Sequence, residues 1–454
     1  MNKRKRTISL HFGVRIAFVM AALSLVCAPI GSAQMGPPPD VAADAAMRAE
    51  IVDSVSAALN RTYVFPEVAE QMDESVRRQM ADGAYDDLNT VREFASALTR
   101  DLQSISHDLH LRVGYIPPAM MAQLTADVDD DEADARQRAE AARDNFRFRR
   151  VEILTGNVGY LRFDAFLNAA YSGPTAVAAM NFLAHTDALI IDLRYNGGGS
   201  PSLIQLITTY FFDEPVHLNS FYIRESDSTQ QFWTLTHVQG ERMVDTDLYV
   251  LTSARTFSGA EEFSYNLKNL ERATIVGDTT GGGAHPVNRV VFEELNTGLG
   301  VPFGRAVNPI TGTNWEGVGV IPDVAVPADQ ALDMAHIMAL EKLREGQTDP
   351  RRTFATGWAI TGLESKLNPV TVSPDVLASY AGSYGPRTLA LEGGSLIYQR
   401  GEGARMRAIP MDESMFRFDE LDYFRIEIVT DDSGQPLRLI GHYDNGQTDE
   451  SPRS

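Results

Sequence analysis

The chain of 454 residues has a single cysteine, Cys27. No disulfide can close within it, and no zinc site can be built on several thiolates. Positive charge is also scarce, with 40 Lys and Arg against 61 Asp and Glu and a formal net charge of −21. That balance argues against a nucleic acid as the main partner, because phosphate binding needs a basic surface. Beyond residue 33 no apolar run is long enough to span a bilayer. No G-K-[ST] follows a glycine loop, so the phosphate-binding P-loop is absent, and no repeat recurs at a fixed period. What is present is a 44% hydrophobic composition. At this length it suits an acidic globular protein of about two to three domains.

Residues 1–33 read as an export signal. Lys3, Arg4, Lys5 and Arg6 precede the apolar run VRIAFVMAALSLVCAPI, and Gly31-Ser32-Ala33 offers small residues for cleavage. Cleavage there would remove five basic residues (those four and Arg15) and no acidic one, leaving −26 and no thiol. A periplasmic or secreted location is expected, with no membrane span after signal removal.

Residues 34–116 carry apolar residues at helical spacing, as in AEIVDSVSAALNRTYVF, and end in the short strand LHLRVGYI. They are expected to form an N-terminal helical cap. Residues 117–150 are charge-rich and read as a linker, either helical or a loop. From 151 to 346 short apolar strands (VGYLRF, ALIIDLR, LYVLTS, ATIVG) alternate with helical stretches, the pattern of an α/β domain. Residues 370–454 show short strands and turns, which predict a small antiparallel barrel or sandwich.

Two segments could carry chemistry. In LYVLTSARTFSGAEEF a strand ends and a helix starts at Gly259, so Ser258 sits at the C-terminal edge of the sheet beside free helix N–H groups. The same four residues, Ser258 to Glu261, also spell a helix capping box. In ALIIDLRYNGGGSPSL a strand runs into Gly197, Gly198 and Gly199, which permit a close backbone approach and suit an oxyanion hole or simply a tight turn. A serine nucleophile needs a base. Lys268 lies ten residues into the following helix, about 15 Å along its axis and out of reach. Lys342 and Lys366 flank the last domain. His107, His110 and His285 all remain open as the base. Glu316, between Trp315 and Gly317, could orient such a histidine or could be a loop carboxylate.

These segments together resemble the serine peptidase family of tail-specific (C-terminal processing) proteases, the tricorn protease core and the repeats of interphotoreceptor retinoid-binding protein. The matching pieces run in order: Asp108-Leu109-His110, GYLRF, DLRYNGGG, TFSGAEEF, IVGDTTGGG and EGVGVIPDV. The stretch from Ile116 to Val151 is too short for the PDZ domain of the tail-specific branch, and position 283 is glycine where that branch has its lysine. Both departures make the chain more similar to the tricorn and retinoid-binding branch. The resemblance implies a crotonase-like (ββα) α/β core, with Ser258 as nucleophile, His110 as general base and Glu316 as its orienting carboxylate. It implies an oxyanion hole from the N–H groups of Gly198 and Gly259, with Gly197 shaping the turn.

The implied activity is hydrolysis of peptides or unstructured protein segments through an acyl-enzyme. No cofactor or metal is implied, and assembly into a homo-oligomer stays open. The negative charge suggests a mild bias toward cationic substrates. Because the base must be a neutral imidazole, activity is expected to fail below about pH 6.5. The alternatives are an apolar-ligand binder on the same scaffold, or an esterase or thioesterase using the same oxyanion hole.

Overall fold

The computed structural model describes residues 40–454 apart from 127–129. The expected signal sequence, Cys27 included, lies outside the described residues. The helical spacing of the cap forms α1 (Ala45–Thr62), α2 (Pro66–Ala81) and α3 (Val91–Ser106). Each start has a local cause. The Asp44 carboxylate accepts from Met47 N–H, Pro66 occupies the first turn of α2, and the Thr90 hydroxyl accepts from Glu93 N–H. His107, in the left-handed conformation, ends α3. After β1 (Arg112–Tyr115), the charged stretch forms α4 (Pro118–Leu124) and α5 (Asp130–Arg143).

The next region is built on a six-stranded sheet. It comprises β2 (Phe148–Leu154), β3 (Val158–Phe163), β4 (Ala188–Asp192), β7 (Asp247–Thr252), β8 (Thr274–Gly277) and β12 (Val324–Ala325), in the order β12-β8-β7-β4-β3-β2. Only the β2–β3 pair is antiparallel. All five residues of β4 are buried, as a parallel strand covered on both faces requires. The strand period of two splits them. Leu189 and Ile191 pack under α6 (Ala169–Leu183), α7 (Pro201–Thr209) and α8 (Gly259–Asn269). Ala188 and Ile190 face α9 (Ala331–Glu345) on the other side. The stretch 347–369, unassigned by pattern, supplies α10 (Pro350–Leu367), whose Ile360 joins that second cluster. A separate sheet combines β5 (His217–Ile223), β6 (Ser228–Trp233) and β11 (Gly304–Val307).

The boundary between cap and core is not a seam. Strand β1 pairs antiparallel with β10 (Thr297–Pro302), and β10 with β9 (Val287–Phe292). Leu111, Val113, Leu299 and Val301 share one buried cluster with Ile51, Phe94 and Leu98 of the helices. Two further ties reinforce it: Val64 N–H donates to Pro302 O at 2.9 Å, and the Arg224 guanidinium donates to Tyr63 O at 2.5 Å. This sheet is what brings the D-x-H segment to the core.

After α11 (Pro374–Tyr380), eight strands from β13 (Gly382–Tyr384) to β20 (Thr448–Pro452) pair antiparallel in sequence order. A bridge between Tyr384 and Arg453 closes the circuit, so this is a barrel and not a sandwich. Arg425 ties it to α10, its guanidinium 3.8 Å from the Trp358 ring centroid.

Leu299 is fully buried where cap and core meet. Leu299→Ala is expected to cost about 2–5 kcal/mol in urea unfolding, whereas Leu437→Ala, at a 48% exposed barrel position, should change stability by less than about 0.5 kcal/mol. Equal effects would contradict a shared cap–core cluster.

Candidate active site

The loop leaving β7 is fixed before it reaches the serine. The Thr256 hydroxyl donates to Leu193 O at 2.8 Å and accepts from Ser253 N–H, while Phe257 N–H donates to Asn196 O at 3.1 Å. The loop that carries Ser258 is thereby laced to the glycine loop after β4. Ser258 follows at φ 55°, ψ −121°, a conformation an L-residue holds at a cost of about 1–3 kcal/mol. Such a sharp strand-to-helix turn lifts a serine side chain out of the sheet edge.

Glu261 holds this turn. It is fully buried, and its carboxylate accepts from Ser258 N–H (2.7 Å), the Thr280 hydroxyl (2.5 Å), Gly282 N–H (2.6 Å) and Gly283 N–H (2.9 Å). Burial pushes its pKa up, and the four donors oppose that by favouring the ionised form. The capping-box residue thus also organises the loop 280–283.

The glycine loop packs directly on the elbow. Gly198 has φ +97°, and a Cβ there would fall 2.6 Å from Gly259 N and from Phe257 O. Only glycine fits. Its N–H, however, donates to Asn196 Oδ1 at 2.9 Å. Among the described residues the N–H groups of Gly199 and Gly259 meet no acceptor. A Cβ on Gly259 would lie only 2.9 Å from Gly199 N, so these two amides are neighbours. The open pair beside Ser258 is therefore Gly199 and Gly259, in place of the expected Gly198 and Gly259. Gly197 has room for a side chain, with nothing within 4 Å of its Cβ position.

Of the three histidines open as the base, His110 and His285 stand in this region and occupy different settings. His110 comes from the cap and lies against Phe257, the residue before the serine, with ring centroids 4.7 Å apart. Its Cε1 would be 2.7 Å from a Cβ at Gly283. The imidazole and the Phe257 ring, whose Cζ would be 2.3 Å from that Cβ, together fill the space a side chain at 283 would enter. Its Nδ1 is buried without a partner. Burial pushes its pKa down to about 4, helped by His285 and Arg112 and opposed by Asp108.

His285 is held by carboxylates. Its Nδ1 is 2.6 Å from Asp108 Oδ2 and 3.5 Å from Glu316 Oε2. Burial works to lower its pKa, but the bond to Asp108 and the charges of Asp108 and Glu316 outweigh it and the net shift is upward. Glu316 is pushed up to about 7 by burial and by the Asp108 charge. Its Oε2 also accepts from Ala284 N–H at 2.5 Å, and its Oε1 has no partner. Glu316 accordingly stands at His285, and no hydrogen bond or ion pair joins it to His110. His107 is exposed at the end of α3, away from this cluster.

Asp108, His285 and Glu316 bring one ligand atom each within 4.8 Å of one another, a spacing that a metal ion could use. The short Asp108 contact fits Nδ1 acting as a hydrogen donor, which leaves that nitrogen no lone pair for a metal. The group therefore fits a hydrogen-bonded histidine best. The sequence marks Asp108 only as part of D-x-H, Glu261 only as a cap and Gly199 only as one of three loop glycines, and it marks nothing at Asn196. Their roles depend on contacts across the fold that no local pattern encodes.

Beside Ser258 opens a cavity of about 830 Å³ lined by Gly199, Gly259, Glu262, His285 and Trp315 among others. Among the described residues no helix is long and apolar enough to cross a membrane.

Residues 157–326 match the family described as peptidase family S41, and residues 42–146 match the N-terminal domain of peptidase S41 in eukaryotic IRBP. A carboxyl-terminal-processing peptidase 2 from the chloroplast of Arabidopsis thaliana is 28% identical over 173 residues, covering 37% of this chain and 32% of its own. The chain thus spans about a third of that relative's length. Among solved structures, a peptidase from Parabacteroides merdae is 15% identical with a TM-score of 0.48, covering 66% of this chain and 99% of that one. The tricorn protease is 15% identical with a TM-score of 0.39, covering 70% and 37%. One match thus falls on the helical cap and the other on the sheet that carries Ser258: the chain carries a peptidase family S41 domain behind a domain of the kind that precedes it in eukaryotic IRBP.

Proposed function

We propose that this chain is an exported serine peptidase that cuts peptides or unstructured protein segments through an acyl-enzyme. The observation that carries the reading is the serine on a strained elbow, clamped by buried Glu261 and flanked by two unengaged N–H groups. Export rests on the basic and apolar pattern of residues 1–33.

In this reading His110 takes the proton from Ser258 and the serine oxygen attacks the scissile carbonyl. Gly199 and Gly259 hold the oxyanion, the imidazolium gives its proton to the departing amine as the C–N bond breaks, and water, deprotonated by the same imidazole now neutral again, releases the acyl group and restores the serine hydroxyl. The support for His110 is its place against Phe257, in the space that glycine at 283 leaves free, and an imidazole that is neutral at pH 7. A second reading gives the base role to His285, favoured by its bond to Asp108 and by its position on the cavity wall with Ser258. Glu316 then acts on His285 in either case.

Labelling with a fluorophosphonate probe tests the nucleophile without knowledge of the substrate. Label is expected on Ser258 and none on Ser258→Ala, with peptide cleavage by the variant lowered at least about 10⁴-fold. A folded wild-type protein that takes no label would refute the peptidase reading.

The pH dependence of labelling separates the histidines. A base must be unprotonated, so a lowered pKa moves the acid limb to lower pH. His110 as base keeps labelling down to about pH 4 to 5, well below the limb expected for an ordinary imidazole. A limb above pH 6.5 would assign the base to His285, whose pKa is raised.

A further inference from the structure

Glu262 lies one helical turn beyond Ser258 on the same face of α8, its N–H donating to Ser258 O at 2.9 Å. The residue is only 3% exposed, yet it lines the cavity beside the serine. Its Oε1 has no partner. The amides of Asn219 and Asn266 stand beside it and favour its ionised form, but their Nδ2 atoms close no hydrogen bond either. Burial raises its pKa to about 7. A buried carboxylate without a countercharge is costly, and nothing in the hydrogen-bonding of α8 requires one here. Glu261 already serves the elbow.

The rest of the cavity shows what would complete it. Phe221, Phe232 and Trp315 give apolar walls suited to a chain of methylenes. Asp131 and Asp134 of α5 add negative charge; among the described residues of the lining Arg138 is the one arginine or lysine, and His285 is held by Asp108 and Glu316. A turn of helix, about 5.4 Å, is comparable to the reach of a long basic side chain from a backbone seated at Ser258.

We propose that this cavity is a specificity pocket for a lysine or arginine side chain adjacent to the scissile bond, with the Glu262 carboxylate pairing with the cationic head. The proposal rests on the peptidase reading and names its substrate class. It assigns Glu262 a binding role, with Ser258 doing the chemistry.

The test is cut-site mapping of a mixed peptide library by mass spectrometry, with a matched substrate pair carrying lysine or norleucine next to the scissile bond. The wild type is expected to cut beside Lys or Arg and to prefer lysine over norleucine about tenfold or more, the scale of one charge-assisted hydrogen bond. In Glu262→Gln that preference ratio should fall toward one. A merely structural glutamate would change both substrates together and leave the ratio intact, which would overturn the proposal. Cuts flanked by apolar or acidic residues in the wild type would also overturn it. Should the variant fail to fold, the wild-type library and the lysine–norleucine ratio decide alone. A protein that labels at Ser258 but cuts no peptide would refute the peptidase reading itself. Cleavage without basic preference would refute only the pocket.

Discussion

The carboxylate of Glu261 is the point on which the site turns. A buried carboxylate is tolerated only where donors surround it, and this one gathers four from two separated segments. One donor is the serine's own amide and two are amides of the loop 280–283. The strained turn and the glycine loop therefore stabilise one another: neither could relax without leaving this charge unpaired. That coupling continues along the chain, since Ala284 N–H reaches Glu316, Trp315 Nε1–H donates to Gly283 O, and His285 sits between two carboxylates. Ser258, the carboxylates and one histidine form a single hydrogen-bonded body.

The other histidine enters from outside that body. It arrives on the segment before β1, whose pairing with β10 is a long-range contact between cap and core. Tyr63 in the cap places its hydroxyl 3.4 Å from Asp108 Oδ2, and Phe65 packs edge-on to His285 at 5.5 Å. The cap therefore supplies part of the site's wall as well as His110. A covering of this kind raises local electrostatic strength by excluding water, and Glu316, beside Asp108 of the cap, is pushed upward by burial and by that charge.

Much of this was legible in the sequence. The strand–helix alternation from 151 to 346 gave the buried parallel sheet because both faces of its strands are covered, which leaves continuous apolar runs such as ALIID. Ser258 was legible because a strand, a turn and a helix start are all local signals. The partner of Glu316 was not: which histidine a carboxylate meets depends on how residues 108, 285 and 316 converge through three different elements. The Gly198 amide was misplaced for a similar reason, since only the folded loop turns the Asn196 side chain back onto it. Charge-rich 117–150 resisted assignment because α5 buries almost no residue and so lacks the apolar stripe by which helices are recognised.

The glycine at 283 and the histidine at 110 are best understood as one choice. A side chain rising from 283 would collide with the Phe257 ring, whose Cζ stands 2.3 Å from the Cβ position, and with the imidazole at 2.7 Å. The two rings together fill the space beside Ser258. A histidine delivered from the cap thus takes part of the space that a side chain at 283 would need. The serine's surroundings on this side are therefore an imidazole that burial keeps neutral. Because His110 stands two residues before β1, and β1 pairs with β10 of the core, the strand pairing that joins cap to core also fixes where that ring stands.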